Sequence, residues 1–383
     1  MKTKIKLASD TIDLYELKKL SSWIIGNPQL TMHNKTLDFE KKWSKWLGVK
    51  YSVFVNSGSS AILASFQALK EMNILKNSKV VIPAICWSTD FSSLAQLGFE
   101  TIICDCNLDD LSVSKVELEK IFKEYRPSAL LLISVLGLVP DMNTIKKLCK
   151  KYKVRIIEDT CESLGSEYYN KKLGTFGFCS FFSFYYGHHI STIEGGMIST
   201  NNRDFYNCLL SVRSHGWSRN MEDNYEKKLR KKYKIDNFSS KFTFYFRGFN
   251  LRPTEIQSFL GLLQIKKIKK IVKKRYENFL YFRNNIKNNL WKPIITKNTK
   301  ISNMGYPILT RNRNEIIKKL LDNNIECRPI ISGSLKKQPF FRKHSLNHTK
   351  RFPNAEFVHK FGFYVPNHYK INIQDIKKII KLI

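Results

Sequence analysis

Short apolar runs alternate with helical patterns from Lys50 to about Thr200, and this alternation limits the fold more than any other feature of the chain. The predicted strands lie at 52–55, 80–82, 101–104, 129–135 and 155–157. Such alternation is typical of βαβ units, so the predicted class is α/β, with a mostly parallel central sheet and helices on both faces. Ligands of these sheets bind beyond the carboxyl ends of the strands, so the residues after each strand are the first candidates for a site.

The pattern changes beyond about Leu260. A long lysine-rich helix comes first, then a strand at 305–309 and helices from about Asn314 and Ile373. A length of 383 residues is also more than one average domain needs. We therefore predict a large domain over 1–260 and a smaller α/β domain over 261–383.

The chain is strongly basic, with 65 Lys and Arg against 32 Asp and Glu, a net charge of +33. A nucleic-acid partner is the first hypothesis for such a chain. However, the lysines are spread along the whole sequence, and in the densest run, 264–275, Ile265, Ile268 and Val272 keep helical spacing. This spacing predicts an amphipathic helix with a solvated lysine face. No nucleic-acid partner is expected, whereas a positive field attracts small anions such as nucleotide diphosphates.

Several other classes of protein are not expected. No apolar run approaches the ~18 residues that a membrane helix needs, and the first residues, 1–6, have no apolar stretch behind them. The eight cysteines include no C-x-x-C pair. They are typical of free thiols in a cytoplasmic protein, so we expect no membrane, no secretory signal and no disulfide framework.

A Ser/Gly turn at 56–61 follows the first predicted strand. Its small residues, Ser57, Gly58 and Ser59, expose backbone N–H groups just before a helix, which suits a phosphate. An ordinary βα turn is the alternative, because the segment has neither the lysine of a P-loop nor a G-x-G-x-x-G pattern.

Trp87 and an acidic segment follow two further strands. Trp87 could stack on a flat ligand ring or belong to the core. Asp159 ends a hydrophobic strand, and if buried it needs a cation such as a protonated pyridine nitrogen. The alternatives are a helix N-cap for Asp159 and a surface charge for Glu158.

An aromatic strand from Cys179 leads to the paired histidines His188 and His189, and a further strand opens at 195–196. Two histidines without further ligands at defined spacing make a metal site improbable, so no metal is expected.

Together these segments resemble the DegT/DnrJ/EryC1/StrS family of pyridoxal-phosphate (PLP) sugar aminotransferases, from about Leu30 to the C-terminus. The motifs that match lie at 56–61, 158–162, 172–177, 182–185, 194–196, 213–216 and 248–257. The resemblance implies an aspartate-aminotransferase-type fold. It also implies that Asp159 pairs with the pyridine nitrogen and that Trp87 stacks on the ring. The remaining implied cofactor contacts are Ser57, Gly58, Ser59 and Ser183 to the phosphate, Glu162 near the ring oxygen, and Asn250 to the phosphate of the other subunit's cofactor. The expected assembly is a two-fold homodimer with shared active sites.

One departure from the family pattern determines the expected activity. In the aminotransferases of the family a lysine follows this aromatic strand and bonds to PLP, but here that position holds His188. No lysine occurs between Lys172 and Lys227. This change resembles a branch of the family, the 3-dehydratases of nucleotide-linked 4-keto-6-deoxy sugars. One kind carries an iron–sulfur cluster, which needs several cysteines in the second half of the chain, and only Cys327 follows Cys208. The GDP-linked kind, which uses PLP and glutamate without a cluster, remains.

The resemblance also implies the chemistry. Glutamate converts PLP to the amine form, PMP, which condenses with the C4 ketone of the sugar. His188 removes a proton from the cofactor methylene and the C3 hydroxyl leaves. Hydrolysis then releases an enamine, which loses ammonia to give a 4-keto-3,6-dideoxy sugar for surface polysaccharide. The candidates for substrate anions are His215, Arg219, Arg252 and Arg328, whereas His189 is expected to be structural.

Two other functions stay open at this point. The first is an ordinary nucleotide-sugar aminotransferase. The second is a non-catalytic basic scaffold that has lost its active site. The scaffold is disfavoured, because such a protein has no reason to keep Asp159, Ser183, Trp87 and Asn250 together.

Overall fold

A mostly parallel seven-stranded sheet lies at the centre of the chain in a computed structural model, which describes residues 4–287, 289–344 and 350–383. The expectation about a secretory signal concerns residues 1–6, of which 1–3 lie outside these ranges. The strands are β1 (Tyr51–Val55), β2 (Lys79–Pro83), β3 (Glu100–Cys104), β4 (Ala129–Ile133), β5 (Arg155–Asp159), β6 (Glu167–Tyr168), β7 (Lys171–Lys172), β8 (Cys179–Ser183), β9 (Gly196–Thr200), β10 (Thr299–Lys300), β11 (Gly305–Leu309) and β12 (Gly362–Pro366). The central sheet has the order β1-β9-β8-β5-β4-β2-β3, in which β9 runs antiparallel to both of its neighbours.

Helices flank this sheet and form much of the C-terminal part. They are α1 (Leu14–Ile25), α2 (Asn34–Leu47), α3 (Gly58–Glu71), α4 (Ser88–Gln96), α5 (Lys115–Tyr125), α6 (Met142–Tyr152), α7 (Arg203–Val212), α8 (Asp223–Tyr233), α9 (Glu255–Gln264), α10 (Ile268–Asn285), α11 (Arg313–Asp322), α12 (Pro339–His344), α13 (Pro353–Phe361) and α14 (Ile373–Leu382). Helix α3 packs against β8, β9 and α7, so its N-terminus is held at the carboxyl edge of the sheet.

The predicted fold class and the five predicted strands of the sheet are confirmed, with one local difference. The run predicted as one strand to Val135 ends at Ile133, because a 3₁₀ turn begins at Val135 and Leu136 takes a left-handed conformation with φ +52°. At the start of α5, Ser114 accepts from the N–H of Glu117 as in a capping box. The Glu117 carboxylate instead accepts from the N–H of Asp105, so only half of the box forms.

The C-terminal part contains an antiparallel pair, β11 and β12. Helix α13 contacts β12, Phe279 and Phe282 of α10 pack on Tyr306 of β11, and α14 contacts both α10 and α11. In α10 the apolar side chains of Ile268, Ile271 and Val272 are buried, and its lysines form the exposed face. Arg275 is the exception in the basic run, since its side chain is buried. Strand β10 pairs with β6, so residues on both sides of position 260 share one small sheet. The division into 1–260 and 261–383 stays a prediction.

The residues the structure describes include no helix that is long and apolar enough to cross a membrane. In the same ranges, no group of three or more His, Cys, Asp or Glu side chains converges as ligands for a metal ion. All eight cysteines are free thiols, most of them buried.

Candidate active site

Three strand ends bring the first group of candidate residues together. β1 and β8 both pair antiparallel with β9, and β5 runs parallel to β8, so the three strands end at one edge of the sheet. Ser57 follows β1, while Asp159 and Ser183 are the last residues of β5 and β8. A Cβ atom on Gly58 would lie 2.7 Å from the Cβ of Ser183, so only glycine allows this approach of helix to strand.

The N-terminus of α3 forms the floor of this site. Ser57 caps the helix by accepting from the N–H of Ser60 at 3.1 Å. The first N–H groups of a helix have no partner within it, and the helix dipole adds partial positive charge there. With the Ser183 hydroxyl beside Gly58 and the exposed Ser59 at the rim, the cradle suits a phosphate group.

Asp159 is buried beside this cradle. Its Oδ1 accepts from the N–H of Cys161 at 2.9 Å, and burial raises its pKa above the ordinary value. None of the ion pairs among the described residues involves Asp159. A buried carboxylate without a cation is unfavourable, so the site favours a ligand that brings a positive charge to this position.

Two alternatives that the sequence left open are wrong, a core position for Trp87 and a surface charge for Glu158. Trp87 is not a core residue, because 56% of its side chain is exposed where it precedes α4. Glu158 is not a surface charge, because its buried carboxylate accepts from the N–H groups of Gly174, Phe176 and Gly177 at 2.6–2.7 Å. Glu158 thus fixes the loop before β8, and Trp87 offers an open ring face.

His188 lies in the turn after β8. The backbone of Cys161, two residues beyond Asp159, faces the imidazole and acts to raise its pKa. Burial and the positive charge of Arg275 lower the pKa of His188 to about 4, so the ring is neutral at pH 7. Its Nδ1 atom is buried and makes no hydrogen bond within the described part of the chain. A neutral imidazole with one free nitrogen can accept a proton from a ligand.

His189 points away from this site. It is fully buried, and its Nε2 lies 2.9 Å from the carbonyl oxygen of Ser302. Burial lowers its pKa well below the ordinary value. The contact ties the turn after β8 to the segment before β11.

Glu162 lies near enough to Asp159 to feel its charge. Its carboxylate accepts from the N–H of Leu136 at 2.5 Å, and burial raises its pKa to about 8. Burial raises the pKa of Tyr364, on β12, to about 12, and the charges of Glu162 and Arg328 also affect this pKa. Arg328, which is exposed and pairs with Tyr364 through a backbone β-bridge, is therefore the substrate candidate linked to Glu162 through Tyr364.

The remaining candidates form a second group around a cavity of about 630 Å³. Arg219, Asn250 and Arg252 line the cavity, and Arg252 donates to the Asn250 side chain at 3.1 Å. The ring of His215 lies 3.5 Å from the Arg252 guanidinium. No hydrogen bond among the described residues joins this group to Asp159 or His188, so within one subunit the candidates fall into two groups.

Two buried ionisable residues of the site were not found from the sequence. Asp90, in the first turn of α4, lies close enough to Asp159 for the two carboxyl groups to perturb each other's pKa. Arg275, on α10, donates to the carbonyl oxygen of His188 at 3.4 Å. A signal existed for Arg275, because it continues the apolar spacing of Ile268 and Val272. Asp90 has only the ordinary signature of an acidic residue in the first turn of a helix.

These residues fit PLP. The cradle suits its phosphate, the buried Asp159 carboxylate suits its protonated pyridine nitrogen, and the open face of Trp87 suits its ring. The fold and the site together are those of a PLP-dependent enzyme of the aminotransferase type. In agreement, residues 13–383 match the model of the DegT/DnrJ/EryC1/StrS aminotransferase family, and the chain belongs to this family.

Similar proteins narrow the class further. GDP-4-keto-6-deoxy-D-mannose 3-dehydratase of Yersinia pseudotuberculosis is 32% identical over 387 residues, covering 98% of this chain and 97% of that protein. A crystal structure of GDP-4-keto-6-deoxymannose-3-dehydratase with a trapped PLP-glutamate geminal diamine has a TM-score of 0.89 at 29% identity, covering 99% of each chain. The UDP-4-amino-4,6-dideoxy-N-acetyl-beta-L-altrosamine transaminase of Helicobacter pylori is 29% identical over 371 residues, covering 95% of this chain and 93% of that protein.

Proposed function

We propose that this chain is a PLP- and glutamate-dependent 3-dehydratase, which removes the C3 hydroxyl of a GDP-linked 4-keto-6-deoxy sugar. The observation that carries the proposal is His188, a histidine at the position of the family's cofactor-binding lysine, beside a site that otherwise fits PLP. The similarity to GDP-4-keto-6-deoxy-D-mannose 3-dehydratase over nearly the full length supports it. The product class is a 3,6-dideoxy sugar, and its expected use is surface polysaccharide.

The cofactor is held without a covalent bond to the protein. Backbone N–H groups of Gly58 and Ser59, with the hydroxyls of Ser57 and Ser183, bind its phosphate. Asp159 accepts from the pyridine N–H and keeps that nitrogen protonated. When bound, PLP supplies an electron sink that stabilises the charge left by breaking a neighbouring C–H bond.

His188 is the base that moves the proton. Its imidazole is neutral at pH 7, and it has no amine with which to bond the cofactor. Glu162 carries a proton over much of the neutral range, because burial raises its pKa to about 8. It can therefore donate a hydrogen bond to the ring oxygen or orient a neighbouring side chain.

The second group of candidates contributes to the active site of the partner subunit in a homodimer. Asn250 reaches the phosphate of the partner's cofactor, and His215, Arg219 and Arg252 bind anionic groups of the partner's substrate. Their exposure around an open cavity supports this assignment. Arg328 serves the site of its own chain beside Glu162. The eight free thiols fit a reducing compartment, so we place the enzyme in the cytoplasm.

The test combines the purified enzyme, PLP and glutamate with a panel of 4-keto-6-deoxy sugars linked to GDP, CDP or UDP. A 3-dehydratase gives a product one oxygen atom lighter than its substrate, and the GDP-linked substrate should react fastest. A product in which an amino group replaces the ketone would contradict the proposal and identify an aminotransferase, the activity class of the Helicobacter relative. A His188→Ala variant is the matched control, because it keeps the cofactor cradle and lacks the base.

A further inference from the structure

Asp90 is a buried carboxyl group directly beside Asp159. Its side chain is fully buried, and its Oδ2 accepts from the backbone N–H of Trp87 at 2.9 Å. The Oδ1 atom is also buried and receives no donor in the described ranges. The carboxyl groups of Asp90 and Asp159 lie close enough together for each to perturb the pKa of the other.

Two ionised carboxylates can only accept, so this contact is a hydrogen bond only if one of them carries a proton. The surroundings favour neutral acids, because the groups facing the pair are the thiols of Cys86 and Cys161 and the carboxyl group of Glu162. Burial and the charge of Asp159 raise the pKa of Asp90 well above its ordinary value.

The two acids differ in what stabilises their charge. Asp159 accepts from the N–H of Cys161, lies at the end of β5 and is the group that a cationic ligand would meet. Asp90 lies behind it, on the first turn of α4. The proton therefore belongs on Asp90, whose O–H then donates to the Asp159 carboxylate, as in buried carboxyl pairs that share one proton.

We propose that Asp90 is a positioning residue, a neutral acid that holds the Asp159 carboxylate toward the cofactor nitrogen and links it to the turn that carries Trp87. This inference rests on the proposed function only in taking PLP or PMP as the ligand of Asp159. A donor to Asp159 makes that carboxylate less basic, so the shared proton stays on the pyridine nitrogen. The hydrogen bond from the backbone N–H of Trp87 to the Asp90 side chain fixes the position of Trp87 relative to the Asp159 carboxylate.

The test compares two substitutions of Asp90. Asp90→Asn keeps a donor to Asp159 and an acceptor for the Trp87 N–H, whereas Asp90→Ala removes both. PMP binding to the apoprotein, followed by tryptophan fluorescence, should be within about 3-fold of wild type for Asn and at least about 10-fold weaker for Ala. The absorption spectrum of bound PMP reports loss of the pyridine proton, which should occur at lower pH in the Ala variant.

Melting of the apoproteins gives a readout that does not depend on the cofactor. When burial raises the pKa of an acid in the folded protein, the protein loses stability as the pH rises above ~4, the pKa of that acid in the unfolded chain. Apo Asp90→Asn should therefore melt above wild type at pH 7, with the difference shrinking toward pH 4. Asp110→Asn is a matched control, because Asp110 is a buried acid remote from the site with a pKa raised by burial to about 6. It should change melting without changing PMP binding.

The proposal is overturned if the Ala variant binds PMP with wild-type affinity and an unchanged spectral titration, or if Asn and Ala are equally impaired. Failure of the proposed function is separate, because a protein that dehydrates no sugar can still show these PMP-binding differences. Conversely, intact dehydration with unaltered PMP binding in Asp90→Ala would leave the function in place and remove the role of Asp90.

Discussion

The guanidinium of Arg275 donates to the backbone carbonyl of His188 at 3.4 Å, and it does so as a buried cation without a carboxylate partner among the described residues. Its second terminal nitrogen, Nη1, donates to the carbonyl oxygens of Asn303, Met304 and Asn367 at 2.7–3.2 Å. Burial lowers the pKa of Arg275 itself to about 9. The Arg275 side chain thus connects the turn that contains His188 to the C-terminal part of the chain. It also places a positive charge near the His188 imidazole.

Arg275→Met should shift the pH dependence of proton removal. Loss of the positive charge raises the pKa of His188 from about 4 toward its ordinary value. The base must be neutral to act, so activity on the acid side should disappear at a higher pH, by about one unit. Arg275→Lys keeps the charge and should keep the acid limb. The measurement is the pH–rate profile of the glutamate half-reaction, and identical acid limbs in all three proteins would refute this role.

His188→Lys should restore a covalent bond between protein and cofactor and abolish dehydration. The substituted amine can bond PLP, whereas the imidazole cannot. Borohydride reduction should fix the cofactor to the variant and leave the wild type unlabelled, which protein mass measures directly. A variant that still dehydrates at the wild-type rate would show that His188 is not the base.

Asp159→Asn should impair both half-reactions by about 100-fold, because a neutral amide does not keep the pyridine nitrogen protonated. The transfer from glutamate and the dehydration are measured separately, in single turnovers. Loss of only one half-reaction would contradict the placement of Asp159. Glu158→Gln is the comparison, since Glu158 precedes Asp159 but contacts the loop at 174–177. Its effect should appear in the melting temperature of the protein.

Mixed dimers test whether each active site draws on two chains. Asn250→Ala and His188→Ala subunits should each be weakly active alone. When they are mixed and allowed to exchange, one site per heterodimer regains both an intact His188 and an intact Asn250 from the opposite chain. Activity above that of either parent is expected. Mixtures no more active than the parents, with subunit exchange verified by native mass, would exclude the shared site.

The sequence predicted the sheet well because buried parallel strands leave continuous apolar runs, which are visible without tertiary information. Ser57 and Asp159 follow from the same rule, since the ends of parallel strands meet at one edge, whereas Ser183 came from the family resemblance. Asp90 and Arg275 did not follow, because each has an ordinary local signature. Only packing shows that one touches a second carboxyl group and the other the proposed base. The separation of Asn250 and Arg252 from His188 is likewise a property of the tertiary fold.

The fate of the glutamate nitrogen tests the central claim most directly. Replacing the C3 hydroxyl by hydrogen while keeping the C4 ketone is a two-electron reduction of the sugar. Oxidation of glutamate to 2-oxoglutarate and ammonia supplies those two electrons, so each deoxygenated sugar should yield one of each. With nitrogen-labelled glutamate, and no nicotinamide cofactor or reductase added, the account predicts the label in free ammonia, in a one-to-one ratio with 2-oxoglutarate and the lighter sugar. Label retained on the sugar would contradict it, because an aminotransferase leaves the nitrogen there.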